Sequence, residues 1–368
     1  MGLRQTINSI LEDFTDENAA IDQLYQTLED RGYDWGNPDA GEFKYVMNTI
    51  AGWVRQEKKK VSGKGDATSP EARSELIGFI KEYVTARPTA AFMGIHPAVF
   101  GVQLALRVRR PRSIDQGGTG LCGAVSVLYA FAKAQPIDFA RFAVNLFFDG
   151  KASFRGLDIE PSPQIRQGYV LRKSKIPWAV DYVTMVSLRQ CTFISDKIGV
   201  GFIRGADETT LPGQLGLWLS QAGYSNVEDH TFFGKNQQKI VKTFAARIGQ
   251  SMHLQGATGD QLARTNRLQH AKQSLTQAGQ ALAAGKLVIL FSDGELGHML
   301  QNGTTAALRE RTTPTELGSH HWMAVRKLQI FGDSDVKLKA ITWGNSYQGL
   351  FKLDAFVSRY NGYVTAEP

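Results

Sequence analysis

Gln116-Gly117-Gly118-Thr119-Gly120-Leu121-Cys122-Gly123 runs straight into Ala124-Val125-Ser126-Val127-Leu128-Tyr129-Ala130-Phe131-Ala132. The glycines predict a loop and the apolar run a helix. That helix must stop before Gln135-Pro136, because proline removes a backbone donor and crowds the preceding turn. Apolar residues lie nearly all the way round it, which marks a central, buried helix. A cysteine in its first turn meets unsatisfied backbone N–H groups and the positive end of the helix dipole. Both favour the thiolate, the nucleophilic form. The same residues also suit an inert cysteine packed at a helix start, since free cysteine is commonly buried. Partners elsewhere in the chain must decide.

A cysteine nucleophile needs a base within hydrogen-bond reach, and the base needs a third group to orient it. Gly318-Ser319-His320-His321-Trp322-Met323-Ala324-Val325 reads as a turn leading into an apolar strand. Leu338-Lys339-Ala340-Ile341-Thr342-Trp343-Gly344-Asn345-Ser346-Tyr347 reads as the next strand, ending in a polar Gly-Asn turn. Neighbouring strand residues point to opposite faces, so only one of His320 and His321 can serve the cysteine. Asp333 and Asp335, between these strands, offer alternative orienting groups, although Phe331-Gly332-Asp333-Ser334-Asp335 is turn-forming in character.

The order cysteine, histidine, asparagine resembles the papain-like cysteine peptidases. Gln116 stands six positions before Cys122, where that family carries its oxyanion glutamine. His321 abuts the strand as the family's His-Trp does, and Trp343-Gly344-Asn345-Ser346-Tyr347 is similar to a permuted Asn-Ser-Trp. The resemblance implies an α+β, two-lobed papain-like fold, with the cysteine on a central helix and the histidine and asparagine on an antiparallel sheet. It implies Cys122 as nucleophile, His321 as base in preference to His320, and Asn345 as orienting amide. The Gln116 side chain and the Cys122 backbone N–H would form the oxyanion hole.

Within that family the chain is most similar to bacterial papain-like toxins delivered by type VI secretion. The likeness lies in Cys122-Gly123 with Tyr129 beyond, Leu211-Pro212-Gly213-Gln214-Leu215, the His-Trp strand and Thr342-Trp343-Gly344. It implies a secreted effector made in the bacterial cytoplasm without a signal peptide and delivered into a target cell. There it would hydrolyse peptide bonds of a protein substrate. A cognate immunity protein or a secretion chaperone is the partner so implied. The same residues also suit a cell-wall peptide amidase or a protein glutamine deamidase, and, as a third reading, a scaffold that acts by binding alone.

The composition is that of an ordinary globular protein: 368 residues, 42% hydrophobic and 21% charged. The formal charge of +7 would suit an acidic partner, nucleic acid, a cell wall or an anionic membrane. Lys58-Lys59-Lys60 and the arginines between Arg107 and Arg112 read as solvated linker or helix ends, so no nucleic-acid partner is expected. Two cysteines, Cys122 and Cys191, exclude a disulfide framework, and Cys191 reads as structural. Cysteines and histidines lack ligand spacing, so neither metal nor cofactor is expected. His96, His230, His253, His270 and His298 read as packing or surface residues, with His298 held in reserve as a cleft residue. The uncharged run 88–106 contains Pro88 and Pro97 and is expected to be a buried helix or extended segment, with no stable membrane insertion. Met1-Gly2 with Thr6 fits an N-terminal acylation pattern, which is short and often met by chance.

Apolar spacing predicts helices within residues 1–57, followed by a polar linker over 58–69 and a helix opened by Ser69-Pro70. A helical N-terminal region over 1–110 is therefore expected, serving for docking, chaperone binding or as a cap, with the catalytic domain over 111–368. Helices are expected at 139–148, 178–186, 212–219 and 270–284. Strands are expected at 287–291, 322–328, 338–343, 350–353 and 363–365, with a short helix at 354–360. Helices first and strands later make an α+β pattern.

Overall fold

The computed structural model describes residues 44, 47, 48, 51, 70–87, 89–169, 176, 178–191, 210–231, 261–302, 320–332 and 334–368. Most of the helices expected before residue 58, the 58–69 linker, the glycine- and polar-rich stretch 249–259 whose composition predicts a loop, His253 and Asp333 lie outside the described residues. The architecture is mixed α+β, with helices and antiparallel sheets. Among the described residues, no helix is long and apolar enough to cross a membrane.

The chain divides into two compact units. One comprises Met1–Gly117, Phe131–Ser153 and Asp158–Cys191, and the other Gly118–Ala130, Phe154–Leu157 and Thr192–Pro368. The division therefore does not fall at residue 110 as the sequence suggests, because the first unit takes in two later stretches of chain.

The described helices of the first unit include α1 (Pro70–Ala86) and α2 (Pro97–Arg109). Helix α3 (Cys122–Ala134) belongs to the second unit as far as Ala130 and passes into the first at Phe131. Pro136 then opens α4 (Pro136–Asp149), which Gly150 closes in the left-handed conformation. Phe100 stacks on Phe147 at 4.0 Å, and the Phe131 ring meets Phe139 and Phe142 edge-on. Of the arginines expected to be solvated, Arg107, Arg109 and Arg110 are buried. Arg107 is fully buried, its guanidinium clamped on Asp181 at 2.9 and 2.5 Å and lying 4.5 Å over the Trp178 ring. Burial of this cation is tolerable because its donors are satisfied by a carboxylate and by Ser113 Oγ. The expected 178–186 helix is present as Ala179–Asp181, a π-helical turn over Tyr182–Val186 and Ser187–Cys191.

In chain order, the remaining elements begin with a hairpin of β1 (Ala152–Phe154) and β2 (Leu157–Ile159), then α5 (Pro163–Gln167). The second unit continues with α6 (Pro212–Gln221), β3 (Ser225–Asp229), α7 (Gln261–Ala283), β4 (Leu287–Asp293) and α8 (Gly294–Asn302). It ends with β5 (His320–Phe331), β6 (Asp335–Thr342), β7 (Asn345–Lys352), α9 (Leu353–Val357) and β8 (Tyr360–Glu367). The longer strands form a six-stranded antiparallel sheet ordered β3-β8-β4-β5-β6-β7.

The two faces of this sheet differ. Val288, Leu290, Met323, Val325, Leu338, Ala340 and Tyr363 point one way, into a core closed by Ala271, Leu275 and Ala278 of α7 and by Leu296 and Leu300 of α8. Strand alternation sends their neighbours the other way. There Ala324 and Ile341 form a cluster with Tyr129 of α3. Tyr129 of α3 thus packs on one face of β5 and β6, while α7 and α8 cover the opposite one.

Candidate active site

Cys122 is the first residue of α3, and Val125 N–H donates to the Leu121 carbonyl at 3.0 Å to open the helical ladder. Its thiol is buried, with the sulfur 3.9 Å from the Gly120 carbonyl oxygen. The helix dipole favours negative charge at this position, and the first turn carries no acid to oppose it. The start of α3 is fixed against the sheet through Thr210. A side chain at position 123 would collide with the Thr210 side chain, so glycine is what allows the approach. The Thr210 carbonyl in turn accepts from Trp322 Nε1 at 2.8 Å. Two turns further on, Tyr129 packs on Ala324 and Ile341, and Arg326 donates to its hydroxyl at 3.2 Å. The start of the helix is thus linked through Thr210 to Trp322, and its second turn packs on Ala324 and Ile341.

This placement separates the tandem histidines. His320, Trp322 and Ala324 share the face where Tyr129 of α3 packs, whereas His321 shares the face of Met323 and Val325. The expectation that His321 faces the thiol is therefore corrected. His321 is a core residue on the α8 side. Its Nε2 shares a 2.5 Å hydrogen bond with Thr342 Oγ1, and its ring stacks on Trp343 at 4.3 Å. Burial, aided by the neighbouring His298, drives its pKa down to about 3, so it is neutral at physiological pH.

His320 has different company. It sits directly across from Asp293 on β4. Asn361 Nδ2 lies 3.4 Å from its Nδ1, and Phe291 tilts against its ring at 4.9 Å. Burial lowers its pKa, opposed by the Asp293 charge and by a hydrogen bond with the Ser292 backbone. A carboxylate and an amide beside a half-buried imidazole are the groups that can fix a ring and stabilise its cation. Asp293 also caps α8, accepting from Glu295 N–H at 2.8 Å.

Asn345 does not take the orienting role expected of it. Its side chain accepts from Ser346 N–H at 2.8 Å within the turn, and the hydrogen bond of His321 goes to Thr342 instead. Gln116 belongs to the first unit, where it is buried; its loop is held by Asp115 N–H donating to Asp181 Oδ2 and Gly117 N–H to Asp115 Oδ1, each at 3.0 Å. Asp335 pairs with Lys352 and Ser334 at its turn.

The other histidines have local tasks. His96 caps α2, His230 pairs with Glu228 and stacks on Tyr363, and His298 stacks on Trp343 at 4.8 Å. Trp322 is core, stacked on Phe291 at 4.3 Å. Sequence reading missed Asp293, because the strand was expected to end at Phe291, and Asn361, which stands in an Asn-Gly pair that reads as a turn. Among the described residues, no group of three or more histidine, cysteine, aspartate or glutamate side chains is arranged to hold a metal ion. No protein-family model matches the chain, and no match is found among the curated proteins or the solved structures.

Proposed function

We propose that this chain is a papain-like thiol hydrolase that cleaves amide bonds of a protein substrate. Cys122 is the nucleophile and His320 the base, with Asp293 and Asn361 orienting the imidazole. The observation that carries the reading is that His320 lies on the sheet face where Tyr129 of the Cys122 helix packs, two residues from Trp322, which bonds to the Thr210 that abuts Gly123. His320 takes the thiol proton and the sulfur bonds to the substrate carbonyl carbon. The C–N bond then breaks as the imidazolium returns the proton to the departing amine. Water, deprotonated by the same imidazole, releases the acyl group and restores the thiol. The start of α3 supplies backbone N–H groups for the developing oxyanion. The assignment to delivered bacterial toxins, and the oxyanion role of Gln116, rest on the sequence resemblance.

Expression of the wild-type chain and of Cys122→Ala in bacteria, with comparison of protein N-termini between the two cultures, tests the reading. New N-termini that depend on Cys122 and vanish in His320→Ala support it. Toxicity or binding that survives both substitutions would overturn it, and release of ammonia without shortened products would indicate a deamidase.

A further inference from the structure

On the α3 side of the sheet, past the irregularity at Arg326, β5 presents Lys327, Gln329 and Phe331. β6 adds Lys339 and Lys337, and β7 adds Gln348 and Leu350. Lys327 stands directly opposite Lys339, and Lys337 lies between Gln329 and Leu350. Like charges opposite one another destabilise a sheet. Among the described residues, no carboxylate pairs with any of these three lysines. The acid on this face, Asp335, is engaged by Lys352 at 2.9 Å. Phe331 and Leu350 are each 48% exposed, so the cluster is flanked by apolar surface.

Lysine often guards an open sheet edge. That role would place the unpaired lysines on β7, the edge strand, yet they stand on the interior strands β5 and β6. We propose that this three-stranded face docks an acidic segment of a separate protein. Its carboxylates would meet Lys327, Lys337 and Lys339, and an apolar side chain would rest on Leu350. Arg326, next to Lys327, is engaged by the Tyr129 hydroxyl, and the cluster has no central aromatic platform on which bases could stack.

The test uses the full chain carrying Cys122→Ser and a fluorescent peptide of alternating glutamate and leucine, read by anisotropy. Lys327→Glu/Lys337→Glu/Lys339→Glu should weaken binding at least about tenfold, and Leu350→Ser several-fold. A control of equal charge change, Arg141→Glu/Lys151→Glu/Lys272→Glu, should change it less than about twofold. Lys339→Glu alone should raise the melting temperature, by replacing a repulsive cross-strand pair with an attractive one, while lowering affinity. Equal losses in the face and control variants would overturn the proposal. So would tighter binding of phosphatidylserine vesicles or single-stranded DNA than of the peptide.

Discussion

His320 and His321 are consecutive in sequence and lie on opposite faces of one sheet, the first on the face where Tyr129 of α3 packs and the second against α8. The consequence is a division of labour. One imidazole lies beside Asp293 and Asn361, and the other is a neutral filler of the core, held between Thr342 and the Trp343 ring.

His321→Ala should therefore act on stability. It removes a buried ring and its hydrogen bond, at a cost of about 2–4 kcal/mol. Hydrolysis per folded molecule should change less than about tenfold, whereas His320→Ala should cost at least about a hundredfold. Thermal melts paired with active-site titration separate the two effects.

The pH dependence follows from the same residue. Unfolded, His321 takes up a proton near pH 6.5; folded, it resists until about pH 3. The unfolded state binds more protons in that interval, so stability is full above about pH 6.5 and falls as pH drops toward 3. His321→Leu should flatten the decline of melting temperature between about pH 6.5 and 4. A slope as steep as that of the wild type would contradict the assignment.

Gly297 offers a test of the packing around that imidazole. Alanine ordinarily stabilises a helix by about 1 kcal/mol relative to glycine. Here the added methyl would come 2.8 Å from both His321 Cδ2 and Trp343 Cη2, two rings already stacked on each other. Gly297→Ala should destabilise by about 1–3 kcal/mol, measured by denaturant titration.

In the first unit, Arg107→Ala leaves the Asp181 carboxylate buried without its cation. The expected loss is about 3–5 kcal/mol. The double variant Arg107→Met/Asp181→Leu should recover most of it, since replacing both charges removes the uncompensated one. A double variant no more stable than Arg107→Ala would count against this account of the pair.

Periodicity made the larger elements legible. The apolar run after Cys122 became α3, ending just before Gln135-Pro136, and the runs at 287–291, 322–328 and 338–343 became the centres of β4, β5 and β6. The turn expected at Gly344-Asn345 falls one residue earlier, at Trp343-Gly344, where both residues adopt positive φ, 44° and 70°. What stayed hidden depended on partners distant in sequence. Arg107 reads as a surface cation until Asp181, 74 residues on, is brought beneath it. The face taken by each histidine depends on which way the first apolar residue of β5 points, and an apolar run buried on both sides carries no alternation to reveal it. Helix α8 was not among the expected elements; Asp293 caps it, and Gly297 is needed where two rings crowd it.

The most direct test of the central claim is the rate of Cys122 alkylation by iodoacetamide as a function of pH, in the wild type, His320→Ala and His321→Ala. If His320 serves the thiol, its removal should slow alkylation near pH 6 by at least about tenfold, while His321→Ala follows the wild-type profile. The opposite pattern, with reactivity lost in His321→Ala and kept in His320→Ala, would contradict the account.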